Sequence, residues 1–158
     1  MSVELKDARV VIVMGSDSDR PVVEPTGALL ERFGIPYRVE VASAHRSPDR
    51  LRRIVQEGDA AQVQVWVGVA GLAAHLPGVL ASLTLKPVIG VPVAAGALQG
   101  MDALLSIVQM PGGIPVAGVA IGSSGAKNAA VLAARILALS DADVAAKLAA
   151  HRQEMAGE

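Results

Sequence analysis

The sequence predicts a three-layer, doubly wound α/β fold: a five-stranded parallel sheet, helices on both faces, and one additional helix at the C-terminus. Three observations carry that reading. Five short apolar or alternating runs are separated by stretches of helical composition. The first run, RVVIVM from Arg9 to Met14, holds no polar residue after its arginine, as expected of a strand covered on both faces. Glycine or proline marks nearly every junction between runs.

The first strand stops at Gly15. A helix follows to about Phe33, with Ser18 or Asp19 as its cap and Pro21 tolerable in the first turn. Pro25 is discordant, because a proline so deep removes a backbone donor and bends or delays the helix. Gly34 and Pro36 end it, and Tyr37 to Ala42 forms the second strand. Pro48 opens a helix to about Glu57, and Val63 to Val69 reads as the third strand. A short helix from Ala73 to Leu83 precedes a fourth strand, Val88 to Val91. A helix from Met101 to Gln109 leads to a fifth strand, Val116 to Ile121. Ser124 caps an alanine-rich helix to Leu139, and Ser140 or Asp141 caps the last, to Met155. This is a flavodoxin-like layout, read as one domain over 1–158 with a core of about 9–139 and a C-terminal helix of about 141–155. No internal repeat or low-complexity linker interrupts it.

A chain of 158 residues can bury roughly 70% of the surface it exposes when unfolded. Its net charge of −1 offers no attraction for nucleic acid or an anionic membrane. The absence of cysteine excludes disulfides, thiolate catalysis and thiolate metal sites. The N-terminus carries acids and runs straight into a strand, without the pattern of a signal peptide, so a cytoplasmic location is expected.

Charge is unevenly distributed. Between Ala60 and Ala126 the only formal charges are Lys86 and Asp102, although the chain holds 14 Lys and Arg and 15 Asp and Glu. Prolines and glycines chop this apolar middle into pieces too short to span a membrane. A soluble chain with such a middle needs more cover than its own helices give, which predicts a homo-oligomer.

Parallel strands bring the loops at their carboxyl ends to one rim. There the first strand ends in GSDSD, residues 15–19. Gly15 allows close approach, Ser16 and Ser18 offer hydroxyls, and the next helix points free N–H groups at the gap, as a phosphate cradle requires. Asp19 suits a ribose diol, since a carboxylate accepts two hydroxyl hydrogen bonds. The same residues also make an ordinary turn and cap. The second strand ends in SAHRSP, where Arg46 can grip phosphate and His45 can move protons near neutral pH. The alternative for His45 is a merely exposed loop histidine. The third strand ends in GVAGLAAHLPG. There Gly71, Ala73 and Ala74 leave backbone amides reachable for a carboxylate, or serve only tight packing, and His75 is open between the same two readings.

Other chemistries lack their residues. IGSSGAKNAA does not have the spacing of a nucleoside triphosphate loop, and no dinucleotide fingerprint follows the first strand. A phosphoacceptor aspartate is missing after the third strand, and Phe33, Tyr37 and Trp66 lie outside the rim loops where a flavin would stack. No His or carboxylate spacing suits a metal, and His151 in the charged last helix reads as solvated.

MGSDSD, SAHRSP, AAHLPG, GVPV, LLSIVQMPGGIPV and GSSGAKNAA, in that order over about residues 9 to 139, resemble the N5-carboxyaminoimidazole ribonucleotide mutase family of purine biosynthesis, the bacterial class often called PurE. SAHRSP together with SIVQMP is not a generic feature of the fold. The resemblance implies an isomerase that moves a carboxylate from an exocyclic nitrogen to a ring carbon without ATP, biotin or metal, and hence no cofactor. It implies that Ser16 and Arg46 hold phosphate, Asp19 the ribose, and Ser18 and Ser43 complete the pocket. His45 matches the general acid–base, while Gly71, Ala73 and Ala74, with His75 and Leu76 beside them, match the carboxylate pocket. It also implies an octamer with a small ribonucleotide as substrate. Two readings compete with it: a carboxylase taking aminoimidazole ribonucleotide and free carbon dioxide, and a non-catalytic ribonucleotide-binding module. This chain departs from the family at Val69 and Leu72, where glycines are usual, and a leucine does not cheaply adopt positive backbone angles.

Overall fold

A computed structural model describes residues 2–157. Its sheet has the order β2-β1-β3-β4-β5 and every pairing is parallel. The strands are β1 (Val10–Met14), β2 (Tyr37–Val41), β3 (Val65–Gly71), β4 (Val88–Val93) and β5 (Ala117–Gly118). The helices are α1 (Arg20–Arg32), α2 (Pro48–Ala60), α3 (Leu76–Leu83), α4 (Met101–Val108), α5 (Ser123–Leu137) and α6 (Ala142–Ala156).

Side chains alternate across a strand, so one apolar run supplies two cores. Val10, Ile12 and Met14 of β1 pack with Leu30 and Phe33 and with the alanines of α5. Val11 and Val13 face the other way, onto Leu51 and Val55 of α2, Leu80 of α3 and Ile107 of α4. Trp66 is fully buried in this second layer, its Nε1 donating to Asp59 Oδ1 at 3.1 Å.

Pro25 lies within α1, which nevertheless runs unbroken. Packing outweighs the lost donor: Thr26, fully buried, donates from Oγ1 to the carbonyl of Ala126 at 2.9 Å, tying α1 to α5. Asp141 caps α6, accepting from the amides of Asp143 and Val144 at 3.1 Å each. His151 is half-buried, edge-on to Phe33 with centroids 5.4 Å apart, where a solvated side chain was expected.

Three junctions differ from expectation. β3 and β4 pair as far as Gly71 with Val93, so β3 starts and ends two residues late and α3 opens at Leu76 rather than Ala73. Sheet pairing thereby holds the turn that was read as helix. α5 is capped at Gly122, not Ser124. β5 shrinks to two residues, paired only through Ala117 and Gly118. It is an edge of the sheet, exposed, and its apolar sequence has no second strand neighbour among the described residues.

Candidate active site

The strand order reverses between β1 and β3, and ligands of open α/β sheets settle in the crevice at such a switch point. A cleft of about 400 Å³ opens there, at the carboxyl ends of β1, β2 and β3. Ser16, Ser18, Asp19, Ser43, His45, Arg46, Gly71, Ala73 and Leu76 all line it, as do Gly15, Ala44, Ala70, Leu72 and Ala95. An adjoining recess of about 360 Å³ shares Gly15, Ser16, Ser43 and Arg46. These four residues therefore sit between two lobes, one of which holds His45 and the small-residue turn.

The loop after β1 is shaped by Ser16. Its Oγ receives the Ser18 hydroxyl at 2.9 Å, and its carbonyl accepts the Asp19 amide at 3.1 Å. Asp19 stands at the N-cap of α1 but makes no side-chain cap bond, leaving its carboxylate for the cleft. Partial burial raises its pKa above the ordinary carboxylate value, and a backbone hydrogen bond from Ser16 offsets part of that rise. Asp17 is turned elsewhere, paired with Arg20 at 2.5 Å.

The loop after β2 is clamped by its two serines. Ser47 Oγ accepts the Ser43 amide at 3.0 Å and donates to the Ser43 carbonyl at 3.2 Å. Ser43 Oγ accepts the Arg46 amide at 3.2 Å. This self-bonded turn turns His45 and Arg46 outward. Arg46 Nη2 then crosses to the carbonyl of Gly15 at 3.2 Å, bridging the first two loops as the shared rim predicts. Ser47, which holds this turn and lines the adjoining recess, was not among the residues read from the sequence as part of the site.

The turn after β3 is tight. The amide of Ala74 bonds the carbonyl of Leu72, and that of His75 the carbonyl of Ala73, both at 2.8 Å. Ala74 is buried with its amide spent inside the turn, so it does not line the cleft. The amides of Leu72 and Ala73 make no hydrogen bond among the described residues and remain free donors. His75 also stands off the cleft wall, but its Nδ1 lies 2.8 Å from His45 Nε2, the rings edge to face. Leu72 takes φ +54°, the left-handed conformation that a glycine would adopt without strain.

A larger groove of about 980 Å³ lies among α1, α5 and α6; among the described residues it is lined by Lys127, Arg135 and Arg152 and by no carboxylate. Among the described residues no group of three His, Asp or Glu side chains is placed to hold a metal ion. What the rim assembles is an arginine, hydroxyls and a carboxylate beside an imidazole pair and small residues with free amides. Such a set can hold a phosphorylated polyol and move a proton.

Comparison with known proteins agrees with this chemistry. N5-carboxyaminoimidazole ribonucleotide mutase of Pyrococcus horikoshii is 48% identical over 155 residues, 98% of this chain and 86% of that protein. The protein of the same name from Escherichia coli K12 is 50% identical over 148 residues, covering 94% and 88%. The crystal structure of Treponema denticola PurE superposes with a TM-score of 0.86 at 31% identity, covering 94% of this chain and 91% of that one. The family described as AIR carboxylase matches residues 9–158, and this chain belongs to it.

Proposed function

We propose that this chain is an N5-carboxyaminoimidazole ribonucleotide mutase, an isomerase yielding 4-carboxy-5-aminoimidazole ribonucleotide in purine biosynthesis. The observation that carries the reading is the Arg46–Gly15 contact, which joins an anion anchor to the cleft that also holds Asp19, His45 and the turn after β3. The relatives' shared name supports it.

In this reading Ser16 and Arg46 hold the phosphate, Asp19 accepts from the ribose hydroxyls, and Ser18 and Ser43 complete that end. Gly71, Ala73 and Leu76 bound the carboxylate, with the free amides of Leu72 and Ala73 as donors and Ala74 packing beneath. The nitrogen–carboxylate bond breaks with its electron pair left on nitrogen, which takes a proton from His45 as carbon dioxide departs. The ring carbon attacks the trapped carbon dioxide, and His45 recovers the proton displaced there, so no net proton is exchanged. Holding both fragments together supplies ~7–11 kcal/mol through proximity.

The second reading is a carboxylase taking aminoimidazole ribonucleotide and free carbon dioxide, favoured by the family's description. Incubation with N5-carboxyaminoimidazole ribonucleotide, with and without bicarbonate, separates the two. A mutase converts it at equal rates in both, whereas a carboxylase requires bicarbonate and the ribonucleotide without its N-carboxylate. Binding without conversion of either would leave only a binding module.

The protein is proposed to act in the cytoplasm as one catalytic domain; no helix among the described residues is long and apolar enough to cross a membrane. A homo-oligomer, with an octamer as the expected state, accounts for the apolar face of α4. Leu98, Met101, Leu105 and Val108 are each at least 43% exposed beside the open edge of β5. Sedimentation equilibrium returning the mass of a single chain would remove this part of the proposal.

A further inference from the structure

Among the described residues, Leu72 and Gln99 are the non-glycine residues with positive φ, at +54° and +50°. For leucine this is a strained conformation, normally found where the surroundings compensate. Core packing does not compensate here, because Leu72 is 54% exposed. Its side chain instead reaches across the rim to the loop between β4 and α4, where a methyl group added at Gly96 would meet Leu72 Cδ2 at 2.7 Å. Gly96 is itself left-handed, at φ +65°. The two loops thus meet through one aliphatic side chain lying on bare backbone. Both Leu72 and the adjacent Ala95 line the cleft, beside Gly71 and Ala73.

We propose that Leu72 is an apolar cover over the carboxylate end of the cleft that retains carbon dioxide during turnover; this rests on the mutase reading. When the nitrogen–carbon bond breaks, an anionic carboxylate becomes a small neutral molecule, while the bonding pair stays with the nitrogen, which takes a proton from His45. Polar contacts that held the carboxylate lose most of their grip at that moment. Retention then depends on closing the exit, and an aliphatic wall closes it without attracting water. Carbon dioxide that leaves before the ring carbon attacks it strands aminoimidazole ribonucleotide, so the cover decides the partition between transfer and loss. The strain at Leu72 follows: in this chain the position combines a left-handed turn into Ala73 with a branched side chain that reaches Gly96.

The test uses substrate carrying a ¹³C label in its carboxylate, in buffer containing unlabelled bicarbonate. Label retained in the product and the yield of aminoimidazole ribonucleotide are read for the wild type, L72G and L72N. Glycine takes the turn without strain, and asparagine tolerates it while replacing the aliphatic group with a polar one. The expected result is a severalfold rise in lost label and in stranded ribonucleotide for both variants, with no fall in melting temperature for L72G. Wild-type retention in both folded variants would overturn the proposal. Failure of the wild type itself to convert the substrate would overturn the mutase reading, and the cover with it.

Discussion

The imidazoles of His45 and His75 stand edge to face, 2.8 Å between Nε2 of one and Nδ1 of the other, joining the loop after β2 to the turn after β3. Along that line one nitrogen donates and the other accepts, so the tautomer of His45 is coupled to that of His75. A ring that must both give and take a proton benefits from a partner holding it in one orientation. In the proposed mechanism, substrate entering the cleft would compete for the same Nε2, and the contact would then be a resting position for His45.

Two substitutions separate proton transfer from positioning. H45N should bind the product nearly as well as the wild type, yet lose turnover by at least the roughly 10²–10⁴-fold that a general acid–base contributes. H75N should lower kcat less, by up to about 100-fold as expected of a displaced reacting group, and should change the shape of the kcat–pH profile. Calorimetric binding and steady-state rates over pH measure both. A wild-type profile in H75N would assign His75 to structure alone.

The proposed role of Arg46 predicts an effect on affinity. If it holds the phosphate, R46A removes one charge-assisted contact, worth about 1.5–3 kcal/mol, and with it the tie to the Gly15 carbonyl. Product binding should weaken at least tenfold at low salt, with a smaller difference at high salt because screening weakens the contact in the wild type. Equal affinities at both salt concentrations would place the phosphate elsewhere.

Asp19 imposes a pH dependence whose sign follows from its raised pKa, caused first by burial. Between the ordinary carboxylate pKa and the raised folded value, the folded chain binds more protons than the unfolded one, so this group's contribution to stability falls as pH rises through that window. If Asp19 accepts from ribose hydroxyls as proposed, ligand binding runs the other way, because an ionised carboxylate accepts from two hydroxyls more strongly than a neutral carboxyl does. Affinity should drop as pH falls through the raised value, and D19N should bind weakly with that dependence removed. Isothermal titration across the acid range checks it.

Gly125 carries packing of another kind. A Cβ at this position would collide with the carbonyl oxygen of Ala120, a backbone atom with little room to move. G125A should therefore cost at least about 2 kcal/mol of stability by overpacking, seen as a lower urea midpoint with unchanged slope. A midpoint equal to the wild type would mean the segment before α5 is free to shift.

Much of this architecture was readable from local pattern. The apolar run at Val10–Met14, the proline opening α2 and the acid capping α6 each state their own role, because strand periodicity and helix capping are properties of a few neighbouring residues. That the GSDSD and SAHRSP loops share a rim also followed, since parallel topology leaves little choice. The edge strand β5 misled because an apolar run does not reveal whether a neighbour covers it, and His151 because helix charge does not reveal a Phe33 beneath.

What only the tertiary structure decided are contacts set by register and dihedral angle. β3 continues to Gly71 because β4 offers partners that far, and this moves the start of α3 to Leu76. Only then does the short turn bury Ala74, aim His75 at His45 and set Leu72 upon Gly96. The residue types and their order therefore pointed to a polar rim, and the resemblance of their motifs to a known family supplied the reaction. The pairing of atoms across loops depended on chain segments far apart in sequence, whose mutual approach leaves no local trace.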